Sequence, residues 1–262
     1  MLALLALALM PTDHHNESAA DAREFYELRT YTVPNRDGQI DQAAHDKVMG
    51  YVTDTLVPAL KRVDGLGPIG VFTEAGEQPR GAAPTGNVYL LIPAADVATL
   101  ANLGDTLAAD ETYRQAAAPF HATPAKEAPY QRAESKLMRA FADIPTLVAP
   151  KPTDGRVFEL RTYQSGNAGQ ARLKVEMFNE GEIDIMRDQN LAPVFYGETL
   201  IGGDAPNLAY MLSAPSLDDH KRNWQSFLDA PAWKQMSGLP RYKGTVSKID
   251  QVFLVPADGS EI

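Results

Sequence analysis

The chain has 262 residues, with 24 Lys and Arg against 34 Asp and Glu and a formal net charge of −10. This length suits two ordinary domains, and the excess of negative charge argues against nucleic acid or an anionic membrane surface as a partner, because like charges repel. The absence of cysteine excludes disulfides, thiolate metal centres, iron–sulfur clusters and cysteine nucleophiles.

The chain begins with an apolar stretch from Leu2 to Met10, about half of the ~20 residues that a membrane-spanning helix needs. A small-x-small pattern follows at Ser18 and Ala20, as at signal-peptide cleavage sites. We therefore expect residues 1–23 to be a signal-like leader that directs export to the periplasm, with no stable membrane anchor. The alternative is a disordered tail on a cytoplasmic protein.

The segments after the leader alternate between strand and helix periodicity. Aromatic and β-branched residues predict a strand at 25–33, and apolar residues spaced three and four apart predict a helix from Ile40 to Leu56. The same criteria then predict strands at 71–73 and 88–92, a helix at 97–117 and a strand at 136–141. The order is βαββαβ.

The most informative feature is an internal repeat, since FYELRTYTV at 25–33 returns as VFELRTYQS at 157–165. The later elements recur in the same order. We predict two modules, 24–142 and 157–262, joined by a Pro-rich linker at 143–156 whose prolines cannot continue a helix or a central strand.

The βαββαβ order is that of a ferredoxin-like α+β unit, whose sheet carries helices on one face only. The other face must be covered by something else. Duplication supplies a partner within the chain, so we expect the two sheets to pack face to face or to share a barrel as an intramolecular pseudo-dimer.

Three segments together resemble the NIPSNAP family: the repeated ELRTY strand, the helix end at Trp233-Lys234-Gln235, and the strand from Glu134 to Arg139. The resemblance covers essentially everything after residue 23 and implies the dimeric α/β-barrel fold. Relatives with that barrel include haem-handling enzymes, cofactor-free monooxygenases and stress-responsive proteins, so the resemblance implies a fold without one reaction. The second copy departs from the first at Ser247 to Asp250.

Each ELRTY strand places a Glu-Arg-Tyr row on one face, because alternate side chains of a strand point the same way. The rows are Glu27, Arg29 and Tyr31 in the first module and Glu159, Arg161 and Tyr163 in the second. We expect Leu28 and Leu160 to pack against the helices, so that both rows face the interface between the sheets or the barrel lumen. One hypothesis is that they bind a small polar or anionic ligand there. We favour the other interpretation, that the Glu and Arg side chains form structural ion pairs at a seam between the sheets.

No cofactor and no metal site is predicted, because the histidines outside the leader lack metal-ligand spacing. His121 is the one residue that we consider as an axial ligand to haem. His45 and His220 are expected to face solvent. Trp224 and Trp233 are interpreted as core or interface anchors.

Three functions remain open. The first is a binding or interaction protein that holds a small ligand in the lumen. The second is a cofactor-free monooxygenase or isomerase, or a haem-handling enzyme, that uses the Glu-Arg-Tyr rows. The third is a structural homo-oligomer without a ligand.

Overall fold

The computed structural model describes residues 22–262 and contains a closed antiparallel barrel of eight strands. In chain order the strands are β1 (Phe25–Thr32), β2 (Asn35–Arg36), β3 (Gln39–Ile40), β4 (Gly70–Glu74), β5 (Val88–Ala94), β6 (Arg132–Ala140), β7 (Val157–Gln164), β8 (Ala192–Ile201), β9 (Asn207–Ala214) and β10 (Lys248–Pro256). Strands β2 and β3 form a separate two-stranded sheet after β1.

The order around the barrel is β1-β5-β4-β10-β7-β9-β8-β6, and β6 pairs with β1 to close it. Each repeat contributes four neighbouring strands in the order of a ferredoxin-like sheet. The repeats join where β4 pairs with β10 and where β6 pairs with β8. The predicted α+β pseudo-dimer is therefore confirmed, and it takes the shared-barrel form.

The helices lie outside the barrel. They are α1 (Gln42–Tyr51), α2 (Val57–Leu60), α3 (Val97–Ala101), α4 (Leu103–Ala109), α5 (Glu111–His121), α6 (Ala168–Met177), α7 (Ile183–Asp188), α8 (Leu217–Asp229) and α9 (Pro231–Ser237). Between the first two helices of each repeat lies a π-helical segment, Val52–Leu56 in the first and Phe178–Glu182 in the second. Such insertions often occur at functional sites.

The single helix predicted at 97–117 is instead three short helices. The carboxylate of Asp96 caps α3 by accepting from the Thr99 amide, and that of Asp110 caps α5 by accepting from the Tyr113 amide. An Asp side chain satisfies the free amides of a helix start, so the internal Asp110 begins a new helix where apolar periodicity alone indicated a continuous one.

Large apolar side chains from both repeats fill the barrel interior. Phe72 meets Phe158 edge to face at 4.9 Å between ring centroids, and Tyr26 meets Phe195 at 5.2 Å. Each pair joins one repeat to the other, so the two sheets share a single core.

The predicted orientation of the ELRTY strands is wrong. Leu28 and Leu160 belong to the core of the barrel interior, whereas Tyr31 and Tyr163 belong to the two cores between sheet and helices. The Glu-Arg-Tyr rows of both repeats therefore face the helices, outside the lumen. The reason is that both faces of each sheet are buried, so an apolar side chain does not identify the helix side.

Residues 1–21 hold most of the predicted leader and lie outside the described residues, so export stays a prediction, as do the module boundaries. No helix within residues 22–262 is both long and apolar enough to cross a membrane.

Candidate functional site

The first repeat has a cleft between its sheet and its helices, with Arg29 on its lining and Glu27 bonded to that arginine. The Arg29 Nε donates to Glu27 Oε1 at 2.8 Å, and the Ser135 hydroxyl donates to the same oxygen at 2.5 Å. Burial opposes the charge of Arg29, but Glu27 and Tyr31 together outweigh it and hold the arginine pKa above its ordinary value. Arg29 is thus a fixed, fully protonated cation.

Aromatic rings form the walls of the cleft. Tyr51, the last residue of α1, stacks on Phe120 of α5 with 3.9 Å between centroids and a 6° interplanar angle. Tyr130 lies nearly parallel to Phe120 at 6.0 Å between centroids and meets Tyr31 edge to face at 5.4 Å. Flat aromatic surfaces of this kind favour a planar ligand.

A chain of polar groups runs from the cleft wall to the surface. The Tyr51 and Tyr113 hydroxyls are 2.7 Å apart, and the Tyr113 hydroxyl lies 3.3 Å from His121 Nε2. Burial raises the pKa of Tyr51, so this phenol stays protonated and can pass a proton without holding a negative charge. The exposed imidazole of His121 can exchange that proton with water.

The cleft has a volume of about 660 Å³. This lies within the range of about 300–1,000 Å³ that small-molecule sites occupy. Gly104 of α4 lies on the lining, and a Cβ built at this position meets no atom within 4 Å. The absence of a side chain at Gly104 therefore keeps this side of the cleft open.

In the second repeat, side chains of the same repeat cover the equivalent Glu-Arg pair. Glu159 Oε1 accepts from Arg161 at 3.2 Å and from Gln251 at 3.1 Å, while Oε2 accepts from the Trp224 indole at 2.6 Å and lies 2.8 Å from His220 Nε2. Burial alone would raise the Glu159 pKa, but the hydrogen bond between Glu159 and His220 and the charge of Arg161 outweigh it and lower the pKa. Glu159 is ionised and fully bonded.

A buried ion pair completes the closure of the second repeat. Lys174 Nζ lies 2.5 Å from Glu182 Oε2 and 4.3 Å from the Phe178 ring centroid. Both side chains are nearly inaccessible to solvent, at 5% and 3% exposure. By position relative to the π-helical segments, they replace the buried Val48 and Leu56 of the first repeat.

At one mouth the barrel lumen opens as a polar funnel of about 330 Å³. Its lining includes Thr30, Lys136, Thr162 and Asp250, and none of the six predicted site residues. A ligand held by the Glu-Arg-Tyr rows would therefore lie in a sheet–helix cleft rather than in the lumen.

The structure separates the predicted site residues into two sets. Arg29 and Tyr31 line the open cleft, Glu27 is bonded to Arg29 next to that lining, and Glu159, Arg161 and Tyr163 lie in the closed second repeat. The prediction that His220 faces solvent is wrong, since it is 1% exposed and contacts Glu159. Trp224 and Trp233 pack against the core of the second repeat, consistent with their interpretation as anchors.

Sequence analysis did not identify Tyr51, Phe120, Gly104 or the Lys174–Glu182 pair. Gly104 and the Lys174–Glu182 pair become evident when the helices of the two repeats are aligned residue by residue. That alignment places Gly104 opposite Trp224, at equal distances from the helix caps Asp96 and Ser216.

His121 does not fit the role of a haem ligand. Its Nε2 already contacts the Tyr113 hydroxyl, and its ring meets Tyr51 edge to face at 5.5 Å. We therefore assign no haem chemistry to this residue. Within residues 22–262, no group of three or more His, Cys, Asp and Glu side chains is arranged to hold a metal ion.

The family model described as NIPSNAP matches residues 158–261 of the chain. This match lies in the second repeat and confirms the resemblance inferred from the ELRTY strand. None of the curated proteins matches the chain.

Several solved structures share the whole fold. A candidate monooxygenase from Fusobacterium nucleatum subsp. nucleatum has a TM-score of 0.54 and 10% identity, over 90% of this chain and 93% of that one. A candidate monooxygenase from Lactobacillus acidophilus NCFM has a TM-score of 0.53 and 10% identity, over 92% and 98%. An anthrone oxidase-like protein has a TM-score of 0.52 and 12% identity, over 91% and 93%. At these identities the similarity concerns the fold alone.

Proposed function

We propose that this chain, which contains a NIPSNAP domain at residues 158–261, is a small-molecule-binding protein whose ligand site is the open cleft of its first repeat. The observation that carries the proposal is the contrast between the two repeats. Both have a Glu-Arg pair beneath the helices, but Trp224 covers the pair in the second repeat and Gly104 leaves it accessible in the first. In the closed repeat, side chains of the protein already contact the Glu-Arg pair. An open aromatic cleft above a fixed cation is instead suited to binding a ligand.

The test is to fill the cleft. Nile red, an uncharged fluorescent aromatic dye, should bind saturably to the wild type, and Gly104→Trp should remove that binding by restoring the side chain found in the second repeat. Gly76→Trp is the matched control, because Gly76 is exposed, lies outside the cleft and has no atom within 4 Å of a built Cβ. Equal dye binding by the two variants would refute the site and would favour a structural protein without a ligand.

Cofactor-independent oxidation of the bound ligand is the second candidate function. It is supported by the Tyr51–Tyr113–His121 chain, which offers a path for a proton leaving a ligand in the cleft. The related folds named for monooxygenases and an anthrone oxidase-like protein are consistent with it. In such a reaction a ring methylene loses its protons and electrons to O₂, so that CH₂ and O₂ become C=O and H₂O.

Anthrone and an oxygen electrode test this candidate. We expect oxygen uptake above the uncatalysed rate, one O₂ per anthrone, and a roughly ten-fold or larger loss in Tyr113→Phe because general acid–base groups contribute about 10²–10⁴-fold. Nile red binding should persist in this variant. Background rates for the wild type would exclude anthrone oxidation and leave the binding proposal intact.

A further inference from the structure

The closed cleft of the second repeat contains an internal occupant, the indole of Trp224. The guanidinium carbon of Arg161 lies over this ring, 4.2 Å from its centroid, in a cation–π contact. The indole N–H donates to Glu159 Oε2 at 2.6 Å. The Glu-Arg floor of this fold therefore accommodates a planar ring that stacks on the arginine and donates a hydrogen bond to the carboxylate.

The floor of the first repeat is built in the same way. Ser135 is the cross-strand neighbour of Arg29, as Gln251 is of Arg161, and each donates to the Oε1 of its own glutamate. Arg29 also binds Glu27 Oε1. Both floors thus bond the same carboxylate oxygen, through Arg29 Nε in the first repeat and Arg161 Nη1 in the second.

The repeats differ at the second carboxylate oxygen. In the second repeat Oε2 of Glu159 contacts His220 and Trp224. The corresponding positions of the first repeat hold Leu100 and Gly104, whose side chains cannot donate a hydrogen bond. Within residues 22–262, the hydrogen bonds to Glu27 all end on Oε1, which leaves Oε2 free to accept one from a ligand.

The charge of the floor indicates which ligands suit it. Arg29 is already paired with Glu27 at 2.7 Å, so the floor carries no net charge. An anionic group placed here would lie against the Glu27 carboxylate, whereas a neutral N–H or O–H group would bond to it. The exposed Arg114 at the cleft lining offers a competing attraction for anions, so an anionic compound is included in the test.

We propose that the ligand of the first-repeat cleft is a neutral, planar aromatic compound with a ring N–H or O–H donor, which stacks on Arg29 and donates to Glu27 Oε2 as Trp224 does in the second repeat. This assignment rests on the proposed function, because it names the class of compound that the same cleft takes. It also gives Glu27 a role in recognising the ligand.

Three matched compounds test the assignment by NMR titration of the full chain. Indole has the ring and the donor, benzofuran has the same shape with an acceptor oxygen in place of the N–H, and indole-3-carboxylate adds a negative charge. We expect indole to bind about ten-fold or more tightly than benzofuran, since a hydrogen bond to a charged group contributes that much or more. Glu27→Gln should reduce this preference, and Gly104→Trp should abolish binding of both.

The outcomes separate the two proposals. Equal binding of indole and benzofuran, still blocked by Gly104→Trp, would overturn the hydrogen-bond assignment and support the cleft as a binding site. Tighter binding of indole-3-carboxylate than of indole would overturn the preference for neutral ligands. Failure of Nile red and of all three compounds to bind would refute the cleft itself.

Discussion

The buried Lys174–Glu182 pair should contribute to the stability of the second repeat, and this contribution can be measured. Lys174→Met keeps the length of the side chain and removes its charge, which leaves Glu182 buried without a cation. Breaking one partner of a buried pair costs about 3–5 kcal/mol in the free energy of unfolding. With a urea dependence of about 3 kcal/mol per M for a chain of this size, the unfolding midpoint should fall by about 1–2 M.

The effect should depend on pH. Burial raises the pKa of Glu182 even though the charge of Lys174 lowers it. Removing Lys174 should therefore raise the Glu182 pKa further. A carboxyl whose folded pKa is raised stabilises the fold below its unfolded pKa and loses that contribution as the pH rises through the folded value. Lys174→Met should therefore lose more stability at pH 8 than at pH 5.

Lys221→Met is the matched control for this experiment. Lys221 Nζ lies 2.5 Å from Glu77 Oε1, the same separation as in the buried pair, but both side chains are about half exposed. Solvent screens such pairs, so little change is expected. Equal midpoints for the two Lys→Met variants at pH 8 would refute the reasoning. The double variant Lys174→Val and Glu182→Leu, which installs the residues of the first repeat, should recover most of the loss.

Three further predictions concern the barrel, the closed cleft and haem. Gly70→Ala should lower stability by about 1–3 kcal/mol in thermal unfolding, because a Cβ there lies 2.6 Å from the Phe72 ring, whereas Gly76→Ala should have no effect. Trp224→Gly should cost about 3–5 kcal/mol and raise the Nile red stoichiometry from one to two; a stoichiometry of one would show that the second floor does not bind ligands. Haem titration should leave the Soret band of free haem unshifted, and a shift lost in His121→Ala would contradict our reading of that histidine.

The fold was predictable from the sequence because the repeat supplied two copies of one pattern. Duplication also covered the open sheet faces, because the inward side chains of both sheets pack into one core. The edges of the two sheets join where β4 pairs with β10 and β6 with β8. The breaks in the helix predicted at 97–117 were harder to predict, because Asp110 resembles an ordinary polar residue on an exposed face. Its role as a helix cap becomes evident only from its bond to the Tyr113 amide.

The orientation of the ELRTY strand was not predictable from hydrophobicity. Strand alternation separates Leu28 from Tyr31, but the two residues are equally buried, at 4% exposure each. Neither side chain therefore marks the inside of the barrel. Charge was misleading as well, because Glu27 and Arg29 neutralise each other and so can lie beneath helices as readily as in a lumen.

The difference between the repeats follows from a few positions in otherwise equivalent elements. His220 and Trp224 both contact Glu159 Oε2 in the second repeat. Leu100 and Gly104 occupy the equivalent positions of the first repeat. A floor left open loses those contacts, which lowers the stability of the repeat that carries it. The shared barrel offsets this loss, because separating the repeats would expose two strand edges and the common aromatic core. One closed repeat thus supports an open one, and the open cleft needs no second fold to stabilise it.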